Sequence, residues 1–228
     1  MRMTDPDFLH YLKTGNMNLT ENFGIPKVKG IKFKDLSKVD LLGFNYCTNP
    51  KTMEERENAF VHFFLPDHYI ERVWNAPEYY ETVFSQYKGI VQPDFSIYTD
   101  MPKAMQIWNH YRRNWLAQYY QAKDIRVIPA PNWSDENSFE WCFDGEPEKS
   151  TVAISSVGTQ LNERSKRLFL LGYQQMMSRL QPKIVLFHGR IPAEITAKME
   201  GSNGENSPII VPIAAYQERL RKIEMGVN

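Results

Sequence analysis

The sequence predicts an α/β domain with a mostly parallel sheet, and three observations predict it. Apolar runs of strand length, among them Ala59-Phe60-Val61-His62-Phe63-Phe64-Leu65 and Ile184-Val185-Leu186-Phe187, are nearly continuous rather than alternating. That is the pattern of strands covered on both faces, as parallel strands are. Between them lie segments whose apolar residues recur at three- and four-residue spacing, the mark of one helical face. No repeat or internal linker divides the stretch, so residues 41–228 read as one α/β domain behind an N-terminal arm of residues 1–40. An irregular or incomplete TIM-like barrel is the first choice of architecture, and an open doubly wound sheet the second.

Taken in order, Phe8, Leu9 and Leu12 suit a short amphipathic helix that Gly15 ends. The arm then carries Lys27, Lys29, Lys32, Lys34 and Lys38 without a sustained period, which reads first as a solvated face. Leu41 to Tyr46 and Ala59 to Leu65 are strands, separated by the polar helix formers of residues 53–57. A helical stretch with Trp74, Tyr79, Tyr80, Val83 and Phe84 follows, begun or broken by Pro77. The run Val91-Gln92-Pro93-Asp94-Phe95-Ser96-Ile97-Tyr98 is a buried strand, and it turns straight into the clearest helix. That helix shows Ala104, Trp108, Tyr111, Trp115 and Tyr119 on one face, with Asp100 as its N-cap and Pro102 at its start.

Ile125 to Ala130 is the next strand, and a short helix around Phe139 to Phe143 ends at Gly145. Thr151 to Val157 is a strand closed by Gly158, followed by a helix marked by Phe169, Tyr173, Met176 and Leu180 that Pro182 stops. Ile184 to Phe187 and Ile209 to Val211 are the last strands, with a polar surface loop over residues 201–207 between them. A closing helix carries Ile213, Tyr216, Leu220 and Ile223.

Composition narrows the roles. Lys plus Arg and Asp plus Glu each total 27, so the formal charge is zero. A purely electrostatic nucleic-acid or membrane binder is therefore not expected, although the lysine-rich arm with Arg112 and Arg113 would form a basic strip if nucleic acid were the partner. Cys47 and Cys142 are too few and too isolated for a disulfide framework or a cysteine zinc site, and Cys142 is expected to be an inert buried thiol. The polar N-terminus lacks a signal-peptide apolar region, and no run approaches a membrane-spanning length. A cytoplasmic protein without a membrane partner is the expectation.

Ligands of parallel α/β sheets bind beyond the carboxyl ends of the strands, where loops and helix N-termini converge. That rule gathers Asn45, Asp67, His68, Asp94, Tyr98, Asp100, Asn132, Trp133, Asp135, Ser155, Ser156, Thr159, His188 and Arg190. Asp94, Asp135 and His188 are the catalytic candidates, and Tyr98, Asn132, Trp133, Ser155, Ser156 and Arg190 the substrate-binding ones. Asp94 stands out because it lies within a strand, where capping does not explain a carboxylate. Paired carboxylates suit acid–base work when their pKa values differ, and with His68 or His188 they would suit a divalent metal ion. Ser155 and Ser156 lack a Gly-x-Ser-x-Gly elbow, and neither a phosphate-binding glycine loop nor a His-Glu-x-x-His motif is present. Bland readings stand beside these: Tyr98 as core, Thr159 as a helix cap, Trp133 as packing.

Several segments resemble the DUF4417 family, a domain of unknown function: Val61-His-Phe-Phe-Leu, Glu71-Arg-Val-Trp-Asn, Pro93-Asp-Phe-Ser-Ile-Tyr-Thr-Asp-Met-Pro, Ile107-Trp-Asn-His-Tyr-Arg, Val127-Ile-Pro, Phe139-Glu-Trp-Cys-Phe-Asp-Gly, Val152-Ala-Ile-Ser-Ser-Val-Gly and Leu186-Phe-His-Gly. The resemblance covers about residues 43–190. It implies a protein of bacteria, phages or mobile elements and no established activity, so it assigns no catalytic residue. His188 stands where the family pattern leads one to expect tyrosine. The function expected is hydrolysis or group transfer on a polar or phosphate-bearing small molecule or nucleic-acid end. The alternative is a non-catalytic mobile-element protein that binds nucleic acid or another protein.

Overall fold

Seven parallel strands form in the computed structural model, which describes residues 17–33, 39–49, 56–200 and 208–213. β1 (Asp40–Gly43), β2 (Ala59–His62), β3 (Gly89–Val91) and β4 (Val127–Ile128) pair in that order. β5 (Thr151–Ser155), β6 (Ile184–His188) and β7 (Ile209–Ile213) make a second sheet. Every pairing is parallel. The sheets meet where the Ala153 N–H donates to the Pro129 carbonyl at 2.8 Å, just past β4. Leu41, Phe60, Val91, Ile128, Ala153, Leu186 and Ile213, one from each strand, belong to one buried apolar cluster. The parallel α/β class therefore holds. A closed TIM-like barrel does not form among the described residues: β1 and β7 each end the strand order unpaired to one another.

β1 to β5 stop short of the runs that predicted them, whereas β6 and β7 run past theirs to His188 and Ile213. At the end of β2 the Phe64 N–H turns to His62 Nδ1 (3.3 Å) and the Leu65 N–H to the Phe63 carbonyl (2.7 Å), so the backbone leaves the ladder. β3 ends at Val91, which places Asp94 three residues beyond the strand rather than inside it. The alternation nonetheless continues in burial, with Phe95 and Ile97 inside and Asp94, Ser96 and Tyr98 toward solvent.

α1 (Asp67–Asn75) and α2 (Pro77–Phe84) pack with α3 (Lys103–Gln121) against the first sheet, burying Val61, Ile70, Phe84, Trp115 and Tyr120 together. Pro77 begins α2, where its missing N–H costs no helical bond. α4 (Glu163–Leu180) covers the second sheet through Phe169 and Met176 against Ile154 and Phe187, and α5 (Ala193–Glu200) follows β6. Residues 136–140 form a 3-10 turn rather than the helix expected around Phe139 to Phe143.

α3 departs most from its pattern. Trp115 is fully buried, but Ala104 and Trp108 are exposed and Tyr111 and Tyr119 only partly covered. The buried side chains include Gln106, Asn109, His110, Arg112, Arg113 and Asn114. Its N-cap is Pro102, with no side-chain cap; Asp100 lies two residues earlier and is exposed. Arg112 and Arg113 are thus removed from any basic strip.

In the arm, Ile25 and Val28 are buried while Lys27, Lys29 and Lys32 face solvent. Its backbone is fixed to α3 by Gln118, which donates to the carbonyls of Asn18 (2.9 Å) and Lys27 (2.7 Å), and by Gln121, which donates to Lys29 (2.8 Å). The expected helix at residues 8–12, most of the closing helix, Lys34, Lys38, Met53 and the loop at 201–207 lie outside the described residues. Among the described residues no helix is long and apolar enough to cross a membrane.

Candidate functional site

A cavity of about 820 Å³ opens at the carboxyl ends of β2 to β5. Its size is that of pockets that hold drug-sized ligands. One wall is Phe64, Leu65 and Pro66 after β2; the next is Asp94 with Ser96 to Asp100 after β3. Pro131 to Ser134 follow β4, and Ser155, Val157, Gly158 and Thr159 follow β5. The first two turns of α4 complete it with Asn162, Arg164, Ser165, Leu168 and Phe169. Of the residues expected at this rim, Asp94, Tyr98, Asp100, Asn132, Trp133, Ser155 and Thr159 line the cavity.

Asp94 is half-buried in the cavity wall. Its Oδ1 accepts from Asn132 Nδ2 at 2.8 Å, and the same amide also donates to the Phe95 carbonyl at 3.0 Å. Asn132 Oδ1 in turn accepts from Arg113 Nη1. Arg113 is fully buried, paired with Glu146 at 2.9 Å and hydrogen-bonded to the Ala130 carbonyl. Burial raises Glu146 above the usual carboxylate range, against the pull of Arg113 and Gln92. A chain of polar contacts, buried at Arg113 and part-buried at Asn132, therefore runs from the core of α3 to the Asp94 carboxyl. Burial is also what lifts the Asp94 pKa to about 6; Arg113 and the Asn132 hydrogen bond oppose the rise, and the Asp67 charge adds to it.

Asp67 opens α1 outside the cavity lining, and its carboxylate accepts the Ser96 N–H (3.1 Å) and hydroxyl (2.8 Å). Tyr98 is 59% exposed at the cavity mouth and is not core. Trp133 both lines the cavity and packs, with its ring 5.5 Å from that of Phe169. It lies so close to α4 that a Cβ on Gly172 would fall 2.0 Å from Trp133 Cδ1. Thr159 bonds the Ser156 carbonyl (2.8 Å), while Asn162, not Thr159, caps α4 in a capping box with Ser165.

Four of the catalytic and substrate-binding candidates, Asp135, Ser156, Arg190 and His188, stand apart from the cavity wall. Asp135 caps the 3-10 turn by accepting the Asn137 N–H at 3.1 Å. The Ser156 hydroxyl donates to the Arg190 carbonyl at 2.7 Å, so these two residues meet through backbone while the Arg190 side chain is exposed. His188 is buried behind Ser155, its Nδ1 3.2 Å from the Ser155 Oγ. It lies against two other rings, His62 at 4.9 Å and Phe64 at 5.2 Å between centroids. Burial, with His188 beside it, holds the His62 pKa down to about 3. His68 is exposed on α1, and Asn45 lies in a 3-10 turn after β1. Burial pushes the thiols of Cys47 and Cys142 up to about 12, which makes both unreactive. Among the described residues no group of three or more His, Cys, Asp or Glu side chains is placed to hold a metal ion.

A model of the DUF4417 family, a domain of unknown function, matches residues 17–205. The chain belongs to that family. It is similar to the gene 1 protein of Mycobacterium phage D29, 36% identical over 162 residues, 71% of this chain and 57% of the phage protein. The gene 1 protein of Mycobacterium phage L5 is 41% identical over 136 residues, 60% of this chain and 59% of its own. The chain thus spans less than three-fifths of the length of these curated relatives. No solved structure matches it.

The strand-end rule missed residues of this DUF4417 chain that no strand carries. Asn162, Arg164 and Ser165 reach the cavity from α4, and the run Asn162-Glu-Arg-Ser165 was open to reading as a helix start. Ser134, buried and with no hydrogen-bond partner for its hydroxyl among the described residues, also lines the cavity. Arg113 and Glu146 gave no local sign, since each acts through a partner distant in sequence.

Proposed function

We propose that the chain is an enzyme that carries out hydrolysis or group transfer on a polar substrate bound at the carboxyl ends of the strands, with Asp94 as the general acid–base. The observation that carries this reading is Asp94 itself. It is a half-buried carboxyl on the wall of a ligand-sized cavity, with one oxygen fixed by Asn132 and no hydrogen bond to Oδ2 among the described residues. A carboxyl that exchanges its proton at about pH 6 is suited to give and take protons near neutrality. Trp133, Phe64 and Phe169 offer an apolar floor, and Arg164 beside the start of α4 offers a place for an anionic group such as a phosphate. The substrate is a small molecule or the end of a nucleic-acid chain, and Asn132 and Tyr98 contribute to holding it.

The test is a panel of chromogenic esters, amides and phosphate esters assayed across pH with wild type and Asp94→Asn. Turnover should show an inflection near pH 6 and fall about 10²–10⁴-fold in the variant, the usual loss when a positioned acid or base is removed. Full activity of Asp94→Asn, or no turnover anywhere in the panel, counts against the proposal.

A further inference from the structure

We infer that Ser155 is a covalent nucleophile of this cavity, with His188 as its base, and that the bond attacked is that of an acyl group. The inference rests on the reading of the cavity as an active site but not on Asp94. Ser155 ends β5 and lines the cavity, while His188, opposite it in register at the end of β6, sits behind it. Their side chains meet at 3.2 Å, Oγ to Nδ1. With the imidazole proton on Nε2, Nδ1 accepts the serine hydrogen and Oγ keeps its lone pairs for attack. One of those lone pairs receives the Val157 N–H at 3.2 Å, a fixed donor for the charge that grows on Oγ as its proton leaves.

Two aromatic rings help to orient His188. Its ring is stacked on Phe64 at 25° and tilted at 42° against His62. His62 accepts the Phe64 N–H on its own Nδ1, is buried and stays neutral, so it places no positive charge beside an imidazolium forming on His188. The face of Phe64 favours that cation. Two flat neighbours hold the base in one plane and tolerate its charged form.

Charge around the cavity selects the electrophile. Among the described residues Asp94 and Asp100 line it against Arg164, so that part of the wall carries more acid than base. A dianionic phosphoryl group would meet little compensation at the reacting centre, whereas a neutral carbonyl needs none. The Ser155 oxygen forms a bond to the carbonyl carbon, its proton passes to His188 Nδ1, and the carbon–leaving-group bond breaks with a proton returned to the leaving group. Water then takes the place of the leaving group, regenerates the hydroxyl and releases a carboxylic acid.

An alkyl fluorophosphonate and phenylmethanesulfonyl fluoride, used separately on the whole chain, test this by intact mass and peptide mapping. Each forms a bond to Oγ as fluoride leaves, and fluoride needs no acid to depart. A single adduct is expected on Ser155, absent in Ser155→Ala and unchanged in Ser156→Ala. Labelling should slow at least about 100-fold in His188→Gln and in His188→Tyr. No adduct from either reagent on the folded protein overturns the inference, as does an adduct that survives Ser155→Ala or wild-type labelling rates in both His188 variants. If Ser155 labels while Asp94→Asn keeps full activity, the inference stands and the role given to Asp94 falls. If Asp94→Asn loses activity and no serine labels, the role of Asp94 stands and the inference falls.

Discussion

At the scale of single residues, the same burial that suits Asp94 to proton transfer costs the fold. Its pKa rises from 3.8 to about 6, so the folded chain holds this proton more tightly than the unfolded chain does. Stability from this group is complete below pH 3.8, declines as pH rises through about 6, and stays lower above. Asparagine cannot ionise and keeps an oxygen for the Asn132 amide. Asp94→Asn should therefore melt above wild type at pH 7.5, by an amount on the order of 1–3 kcal/mol, and the two should converge at pH 3.5. A variant less stable than wild type at pH 7.5 would mean that the carboxylate is held by contacts the asparagine cannot make. His62 and His110 act in the opposite sense, because burial lowers both to about 3. Their unfolded forms take up protons first, so both weaken the fold as pH falls below 6.5 in wild type and variant alike. Comparing the two proteins cancels that part.

At the scale of elements, α3 shows what was legible and what was not. The spacing of Trp108, Tyr111, Trp115 and Tyr119 identified a helix, and a helix runs from Lys103 to Gln121. The same spacing misjudged the buried side, because an apolar stripe reveals period but not which neighbours compete for it. Here Trp108 stacks on Tyr111 at an exposed surface while Arg113, Asn114 and His110 turn inward. Their burial is sustained by partners far along the chain: Glu146 and Asn132 for Arg113, the Pro26 carbonyl for Asn114, the Asp144 carbonyl for His110. Nothing local in the sequence announces such pairings. Asp94 was legible for a different reason, since a carboxylate among apolar residues demands a cause wherever the strand ends. The Arg113–Glu146 pair has no solvent to fall back on, so Arg113→Met should cost about 3–5 kcal/mol by stranding Glu146. Urea unfolding measures it, and Arg113→Met with Glu146→Gln should recover part of the loss. A single variant as stable as wild type would show that the charge finds water.

At the scale of the whole molecule, the two sheets are parts of one structure if their shared interior matters more than the seam between them. The seam carries the Ala153 to Pro129 bond, but the interior joins Phe60 of the first sheet to Leu186 of the second in one fully buried cluster. His62 and His188 repeat that meeting at the rim. Gly89 gives access to this coupling from a distance. It opens β3 where a Cβ would lie 2.3 Å from the Arg126 carbonyl and 2.6 Å from the Phe60 ring, so alanine there must push β3 and β4 apart and shift Phe60. The overlap is with backbone, which cannot swing aside as a side-chain tip can. Gly89→Ala lies in the first sheet, yet the amides of Val185 and Leu186 in β6 should lose hydrogen-exchange protection by the same factor as those of Phe60 and Val61 in β2. Equal loss is the signature of one cooperative unit unfolding together. Protection lost in β2 and kept in β6 would instead make the sheets separate units, and the cavity a cleft between two bodies free to move.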